Sequence, residues 1–380
     1  MAVIFNKELN ISKLNLVFNN NVVEFYSDNI VPPAKADISV GGRTVTIYPD
    51  PNGVFRYNFK ELMIAITNVD NYADDLDVNI DNDYTYDWTD KIYLDSTVLT
   101  TIHLANDTTE TDSRNIIWLS AYVNLQEWKQ TYPALSLLTN GIDLLQPDNG
   151  DAYHNYKVPY WNGYPFDITL FNKSKSINIT NNTNGLDYDF DTDEFDITRL
   201  VFSDGNTNET IEDVLPLSSG YNDLVVSAGL INFNIELFKN TIKCANGVYI
   251  KWINQFGGWN YWLFSKGQEF KKTNNRGSLF NDTNNLEDTT SPYVSLGKES
   301  NNSIRVKEQR VSENYKELLN GLIDSAKVYF FTGTPFSQNN FNDWLEVEVK
   351  TGTFKTENSR GDMFTFDFEF GLPNNVTRSL

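Results

Sequence analysis

The chain is 380 residues long, enough for two or three domains with separate cores. Its formal net charge of −21, from 51 acidic against 30 basic residues, repels phosphate backbones and argues against specific nucleic-acid binding, which depends on clustered Lys and Arg. The single cysteine, Cys244, excludes an intrachain disulfide and is expected as a buried thiol.

The first residues, Met-Ala-Val-Ile-Phe-Asn-Lys-Glu, lack a basic segment followed by a long apolar one, so no signal peptide is expected. No apolar run approaches the ~20 residues of a membrane span, which predicts a soluble protein made in the cytoplasm. With 25 Phe and 20 Tyr, the composition favours sheets over helical bundles. Ala36 to Ile47 has the form of a two-residue hairpin turning at Gly41-Gly42, with Ile38 facing Val45 and Ala36 facing Ile47. After the turn at Pro49 to Gly53, Phe55, Tyr57 and Phe59 share one face at period two, as in a β-sandwich strand. Lys60 to Ile66 offers one or two helical turns, and the acidic stretch 70–90 reads as a loop.

Strand patterns return at Lys91 to Leu104 and at Asn115 to Val123. Between Asp151 and Leu170, two prolines and Gly163 predict an extended segment, a tight turn and a new strand. Short strands separated by Asn, Gly and Asp are expected over 174–239. In the stretch from Asn246 to Phe264, two aromatic strands fold back around Gly257-Gly258. Val248, Ile250 and Trp252 lie on one face of the first strand, with Tyr249, Lys251 and Ile253 on the other. Trp259, Tyr261 and Leu263 share a face of the second, opposite Asn260, Trp262 and Phe264. Large apolar groups on both faces require cover on both sides. Trp161, Tyr164, Trp252, Trp259, Tyr261 and Trp262 are thus candidates for core packing or subunit contact.

The polar segment 267–303 is far longer than an ordinary connection and predicts either disorder or an arm that orders against a partner. Ser312 is expected to cap a helix over about 312–326, with Tyr315, Leu318, Leu319, Leu322 and Ile323 on one face. Val328 to Phe331 reads as a strand. Leu345, Val347 and Val349, then Phe364, Phe366, Phe368 and Phe370, alternate with polar residues and predict a closing sheet under that helix. The expected class is mainly β, with β-sandwich-like modules and a few short helices. The expected domains are 1–130, 131–245 and 246–380.

Residues that carry chemistry are sparse. His103 and His154 have no metal-ligand neighbour at helical or strand spacing, so neither a zinc site nor a Ser-His-Asp triad is supported. The cluster Asp187 to Phe195 fails the EF-hand template, with Thr192 and Thr198 where Gly and Glu are needed, and reads as a solvated acidic loop or strand ahead of a metal site. No glycine-rich phosphate loop follows a strand. Arg360-Gly361-Asp362 reads as a chance match in a turn, and triplets such as Asn178-Ile-Thr180 follow from composition. No catalytic residue, cofactor or metal is predicted.

The blocks Pro51 to Glu61, Trp161 to Asp167, Asn246 to Phe264 and Lys316 to Val328, in an Asn-rich, acidic, cysteine-poor chain, make the sequence resemble a known group. These are the virion structural proteins of tailed bacteriophages that infect Bacteroidetes, the crAss-like phages among them. The resemblance implies a non-enzymatic tail, ring or collar protein of β-sandwich modules, located in the virion tail and synthesised in the host cytoplasm. Its implied partners are copies of itself, in a ring around the DNA exit channel, and neighbouring tail or portal-region proteins, with no membrane. A receptor- or carbohydrate-binding virion protein is the alternative, because exposed Trp and Tyr also stack on sugars. A carboxylate-based glycan hydrolase stands third.

Overall fold

The computed structural model describes residues 2–67, 71–78, 84–123, 142–147, 155–192, 195–205, 211–241, 247–280, 293–337, 339–350, 357–359 and 363–373. Over these residues the chain is mainly β, with several sheets and a few helices of four to eight residues, as the composition predicts. It divides into two compact units. The first comprises Met1–Thr241, Ile253–Asn260 and Thr334–Phe341; the second comprises Ile242–Trp252, Tyr261–Gly333 and Asn342–Leu380.

The first unit opens with strands β1 (Val3–Lys7), β2 (Asn15–Leu16), β3 (Val22–Ser27), β4 (Pro33–Val40), β5 (Arg43–Ile47) and β6 (Phe55–Asn58). They are followed by the helix Lys60–Thr67 and by β7 (Thr85–Asp87), β8 (Tyr93–Leu104) and β9 (Thr109–Leu119). One sheet runs β1-β3-β6 and the other β2-β9-β8-β4-β5. Their inner faces share one core, which includes Phe25, Phe55, Phe59, Ile38, Ile102 and Trp118. Phe25 stacks on Phe55 at 5.2 Å, and Phe59 packs against Trp118 at 5.6 Å. Burying each such ring is worth roughly 1.5–3 kcal/mol.

The β4–β5 hairpin has the predicted register, Ala36 opposite Ile47 and Ile38 opposite Val45. Gly41 and Gly42 take φ of 54° and 74°, the left-handed pair that a two-residue turn requires. The β8–β9 hairpin pairs Tyr93 with Leu119 through His103 with Thr109. Its second strand therefore starts six residues before the predicted Asn115.

On the outer face of this sheet, Thr46 Oγ1 donates to Asp37 at 2.5 Å, and His103 Nε2 lies 2.8 Å from the other carboxylate oxygen. The Thr46 hydrogen bond, and after it the bond with His103, hold the Asp37 carboxyl below the ordinary carboxylate range. A depressed carboxylate contributes stability above its unfolded pKa and loses it as pH falls through the folded one. Asp37→Asn should therefore cost less than about 1 kcal/mol at pH 7, and the gap to the parent should close at acid pH. Urea titrations at pH 7 and pH 3 test this, and an undiminished gap at pH 3 would contradict it.

The next strands are β10 (Ile142–Leu144), β11 (Asn155–Trp161), β12 (Pro165–Asn172), β13 (Ser176–Asn181), β14 (Leu186–Asp191), β15 (Ile197–Asp204), β16 (Gly220–Ala228) and β17 (Ile231–Asn240). They form the sheets β10-β12-β15-β7 and β11-β17-β16-β13-β14. The stretch 70–90, predicted as a loop, thus supplies the edge strand β7. Tyr84 packs on Phe190 at 6.1 Å, which helps hold that edge in place. The predicted turn lies at Gly163, whose φ is 87°. A Cβ there would lie 2.3 Å from the ring of Phe336, whose own N–H donates to Gly163 O at 2.7 Å. The two sheets meet through Tyr160 against Phe166 at 5.0 Å and Tyr156 Oη donating to Asp143 at 2.6 Å.

The second unit centres on β18 (Val248–Ile253), β19 (Trp259–Phe264), β20 (Lys266–Asn275), β21 (Ser278–Phe280), β22 (Tyr293–Ser295), β23 (Lys298–Ser312), β24 (Val328–Phe331), β25 (Trp344–Val349), β26 (Glu357–Ser359) and β27 (Met363–Leu372). The main sheet runs β19-β18-β24-β25-β27-β23-β20, with β26 paired to β27. Phe364, Phe366, Phe368 and Phe370 are all buried, as their alternation predicts.

Two predictions for this unit need correction. The expected helix over 312–326 is a 3-10 turn at Glu313–Tyr315, an α-helix at Lys316–Asn320 and then turns closed by Leu322 N–H on Leu319 O and Ile323 N–H on Asn320 O. Ser312 makes no capping bond, and Asn320-Gly321 are weak helix formers at the point where the spiral tightens. Of the polar segment 267–303, expected as disorder or as an arm that orders against a partner, the described strands pair within the chain. β20 and β23 form ten rungs, from Lys266 opposite Lys307 to Asn275 opposite Lys298.

Candidate interaction surfaces

All six aromatic candidates are buried in the chain's own structure: Trp161, Tyr164, Trp252, Trp259, Tyr261 and Trp262 are each no more than 8% exposed. Every residue of β18 and β19 is buried, so the hairpin is covered on both faces, as its two-sided pattern requires. In the second unit Tyr249, Tyr261, Phe331 and Trp344 pack at 5.1–6.3 Å. Lys251 lies 4.2 Å from the Trp344 ring centroid, a cation held over an aromatic face. On the opposite side, Trp262 meets Tyr315 at 5.6 Å, so the helical turns cover that face.

The hairpin tip, Ile253–Asn260, belongs to the first unit. Asn254 organises it. Its Oδ1 accepts from Phe256 N at 2.8 Å and Gly258 N at 3.2 Å, and its Nδ2 donates to Leu145 O at 2.8 Å and Asn260 Oδ1 at 3.1 Å. Trp259 then packs edge-on against Trp88 at 6.0 Å.

Beside these rings lies an ion triad that no local pattern announces. Arg199 donates to Asp74 at 2.7 Å through Nη1, and to Asp167 at 2.6 Å through Nη2 and 3.3 Å through Nε. The three side chains are 2–6% exposed. The guanidinium carbon stands 4.9 Å from the Trp88 ring and 5.9 Å from that of Trp259. These are paired carboxylates, and one arginine holds both. Lys239 pairs with Glu212 and donates to Leu217 O at 3.3 Å. Lys173 pairs with Asp196 and donates to the Tyr93 hydroxyl at 2.7 Å. Burial, then the nearby Glu212, push the Tyr160 hydroxyl far up, so it remains a neutral donor.

His103 is engaged by Asp37. His154, Cys244 and the Arg360-Gly361-Asp362 triplet lie outside the described residues. Asp187, Asp189 and Asp191 project from the outer face of β14, while Asp193 and Glu194 lie outside the described residues. Among the described residues no three His, Cys, Asp or Glu side chains gather as a metal site, and no helix is long and apolar enough to cross a membrane.

Among the described residues, two exposed surfaces carry both charge and large apolar side chains. All ten residues of β20 are exposed, so no layer covers that edge of the sheet. The β20–β23 ribbon runs about 30 Å at ~3.4 Å per residue. It continues into the pair β21–β22, where Leu279 (57% exposed), Phe280 (62%), Tyr293 (59%) and Val294 (40%) face solvent. Phe280 and Tyr293 touch at 5.4 Å across the two strands. Across 266–280 and 293–307, Lys and Arg outnumber Glu seven to two, the opposite of the chain as a whole. The second surface is β14, the terminal strand of its sheet, whose Leu186, Asp187, Tyr188, Asp189 and Asp191 are exposed. Sequence reading missed the ribbon, although that local reversal of charge was there to be counted.

No family model and no curated protein matches the chain. Solved structures give only distant likenesses. Fibronectin(III)-like modules of CbhA from Clostridium thermocellum align at 7% identity and a TM-score of 0.20, over 63% of this chain and 94% of that one. A bacterial ice-binding adhesin of 1.5 MDa aligns at 6% identity and 0.19, over 81% and 93%. Domains 4–9 of the surface layer protein SbsC align at 10% identity and 0.18, over 97% and 42%. Scores at that level carry no functional argument, and the β class rests on the strands themselves.

Proposed function

We propose that the chain is a non-enzymatic structural component of a tailed-phage virion, a tail, ring or collar protein that assembles with copies of itself and with neighbouring tail or portal-region proteins. The observation that carries the reading is the ribbon. Beyond Asn302, where β27 no longer pairs with β23, the ribbon is two-stranded, a form that is marginal in water by itself, and its exposed tip of Leu279, Phe280, Tyr293 and Val294 would gain stability against a partner. The resemblance supplies the kind of assembly. Net charge of −21 suits a wall past which DNA slides without sticking. The buried carboxylates Asp74 and Asp167 are held by Arg199, and Glu212 pairs with Lys239.

A receptor- or carbohydrate-binding role would need a platform of exposed rings. The six aromatic candidates are buried, which leaves that role to residues such as Tyr48 and Tyr221. Negative-stain imaging and mass photometry of the purified protein test the choice. Closed annular particles are the expected outcome. Persistent monomers with saccharide affinity would replace the structural reading with the binding one.

A further inference from the structure

We infer that the basic ribbon of one copy docks on the acidic β14 edge of a second copy. This deepens the structural reading above and rests on it. The donor surface is Lys271, Lys272, Arg276 and Lys298, all exposed, together with the apolar tip. The acceptor is a six-residue terminal strand with Asp187, Asp189 and Asp191 on its outer face and Leu186 (44% exposed) and Tyr188 (36% exposed) at its rim.

Three features match. The first is charge: the ribbon is the basic part of an otherwise acidic chain, and β14 is among its most acidic strands. The second is apolar area, since each surface leaves large side chains in water. The third is backbone, because among the described residues β20 and β14 each end their sheet and no strand extends either edge. An open edge is ordinarily guarded by charge, and here the guards on the two edges are of opposite sign. Like charges brought together at an interface cost several kcal/mol, so these edges reject their own kind and accept each other.

A contact between two different surfaces of one chain is heterologous. It propagates from copy to copy and closes into a ring where the rotation allows. A second copy therefore suffices as the partner.

The test uses two full-length variants. One carries Asp187→Lys, Asp189→Lys and Asp191→Lys; the other carries Lys271→Glu, Lys272→Glu and Arg276→Glu. Sedimentation velocity and mass photometry follow association at low salt, with circular dichroism to show that each variant is folded. Each variant alone should lose self-association by more than about tenfold, because its two edges now carry the same sign. An equimolar mixture should recover assembly, since every ribbon then meets an edge of opposite charge. Wild-type rings that persist in either variant, or variants that both fail and do not recover on mixing, overturn the docking assignment alone. A wild-type chain that never self-associates overturns it together with the ring reading.

Discussion

Replacing Arg199 with methionine should lower the stability of the first unit by about 3–5 kcal/mol, the cost of leaving buried charge without its partner. The side chain is 3% exposed and holds Asp74 and Asp167 at the same time. Methionine fills a similar volume but takes the shared guanidinium away from both carboxylates. Arg199→Lys should fall between the two, because lysine keeps the charge and loses the planar fork that reaches both acids. Adding Asp74→Asn and Asp167→Asn to the methionine variant should recover a large share of the loss, since no net charge is then buried. Urea titration of the four proteins measures the series. A methionine variant within 1 kcal/mol of the parent would mean that the triad is solvated in solution and is not the anchor drawn here.

The triad also shows why part of this molecule escapes a reading of its sequence. Arg199 is 125 residues from Asp74 and 32 from Asp167, and no period or spacing links them. What was legible was local and repetitive. The Gly41-Gly42 turn fixed the register of its hairpin, and the alternation of Phe364, Phe366, Phe368 and Phe370 identified a buried face. The two-sided aromatic pattern of Val248–Ile253 and Trp259–Phe264 required cover on both faces, and both strands are buried throughout. Periodicity also misled. The apolar positions Tyr315, Leu318, Leu319 and Leu322 keep a helical spacing that passes straight over Asn320-Gly321, so the helix read longer than its hydrogen bonds allow. The ribbon was missed for the opposite reason. Its Lys, Asn and Thr residues show no apolar alternation, because neither face of β20 meets a core. The ribbon thus lies where hydrophobic pattern carries no signal and only charge marks it, whereas β14 shows the alternation of Leu186, Tyr188 and Phe190 with aspartates.

The hairpin tip gives the second large effect. Gly258→Ala should destabilise by about 3 kcal/mol or more, at the upper end of what overpacking costs. A Cβ at that position would lie 2.2 Å from Leu145 O, a backbone atom, and would also crowd the Asn254 amide nitrogen at 3.2 Å. Leu145 O is the acceptor for Asn254 Nδ2, so moving it aside breaks the bond that organises the turn. The neighbouring glycine makes an internal control. Gly257 has φ of 87°, and its added Cβ would meet Ile92 Cδ1 at 2.8 Å, the far end of a side chain that can rotate away. Gly257→Ala should therefore cost mainly its left-handed backbone, about 1–2 kcal/mol. The ranking, Gly258 well above Gly257, runs against the usual expectation that the positive-φ glycine is the less replaceable. Denaturant midpoints of the two alanine variants decide it. The reverse order would show that the tip is not seated against Leu145 and that the left-handed backbone at Gly257 outweighs the close approach at Gly258.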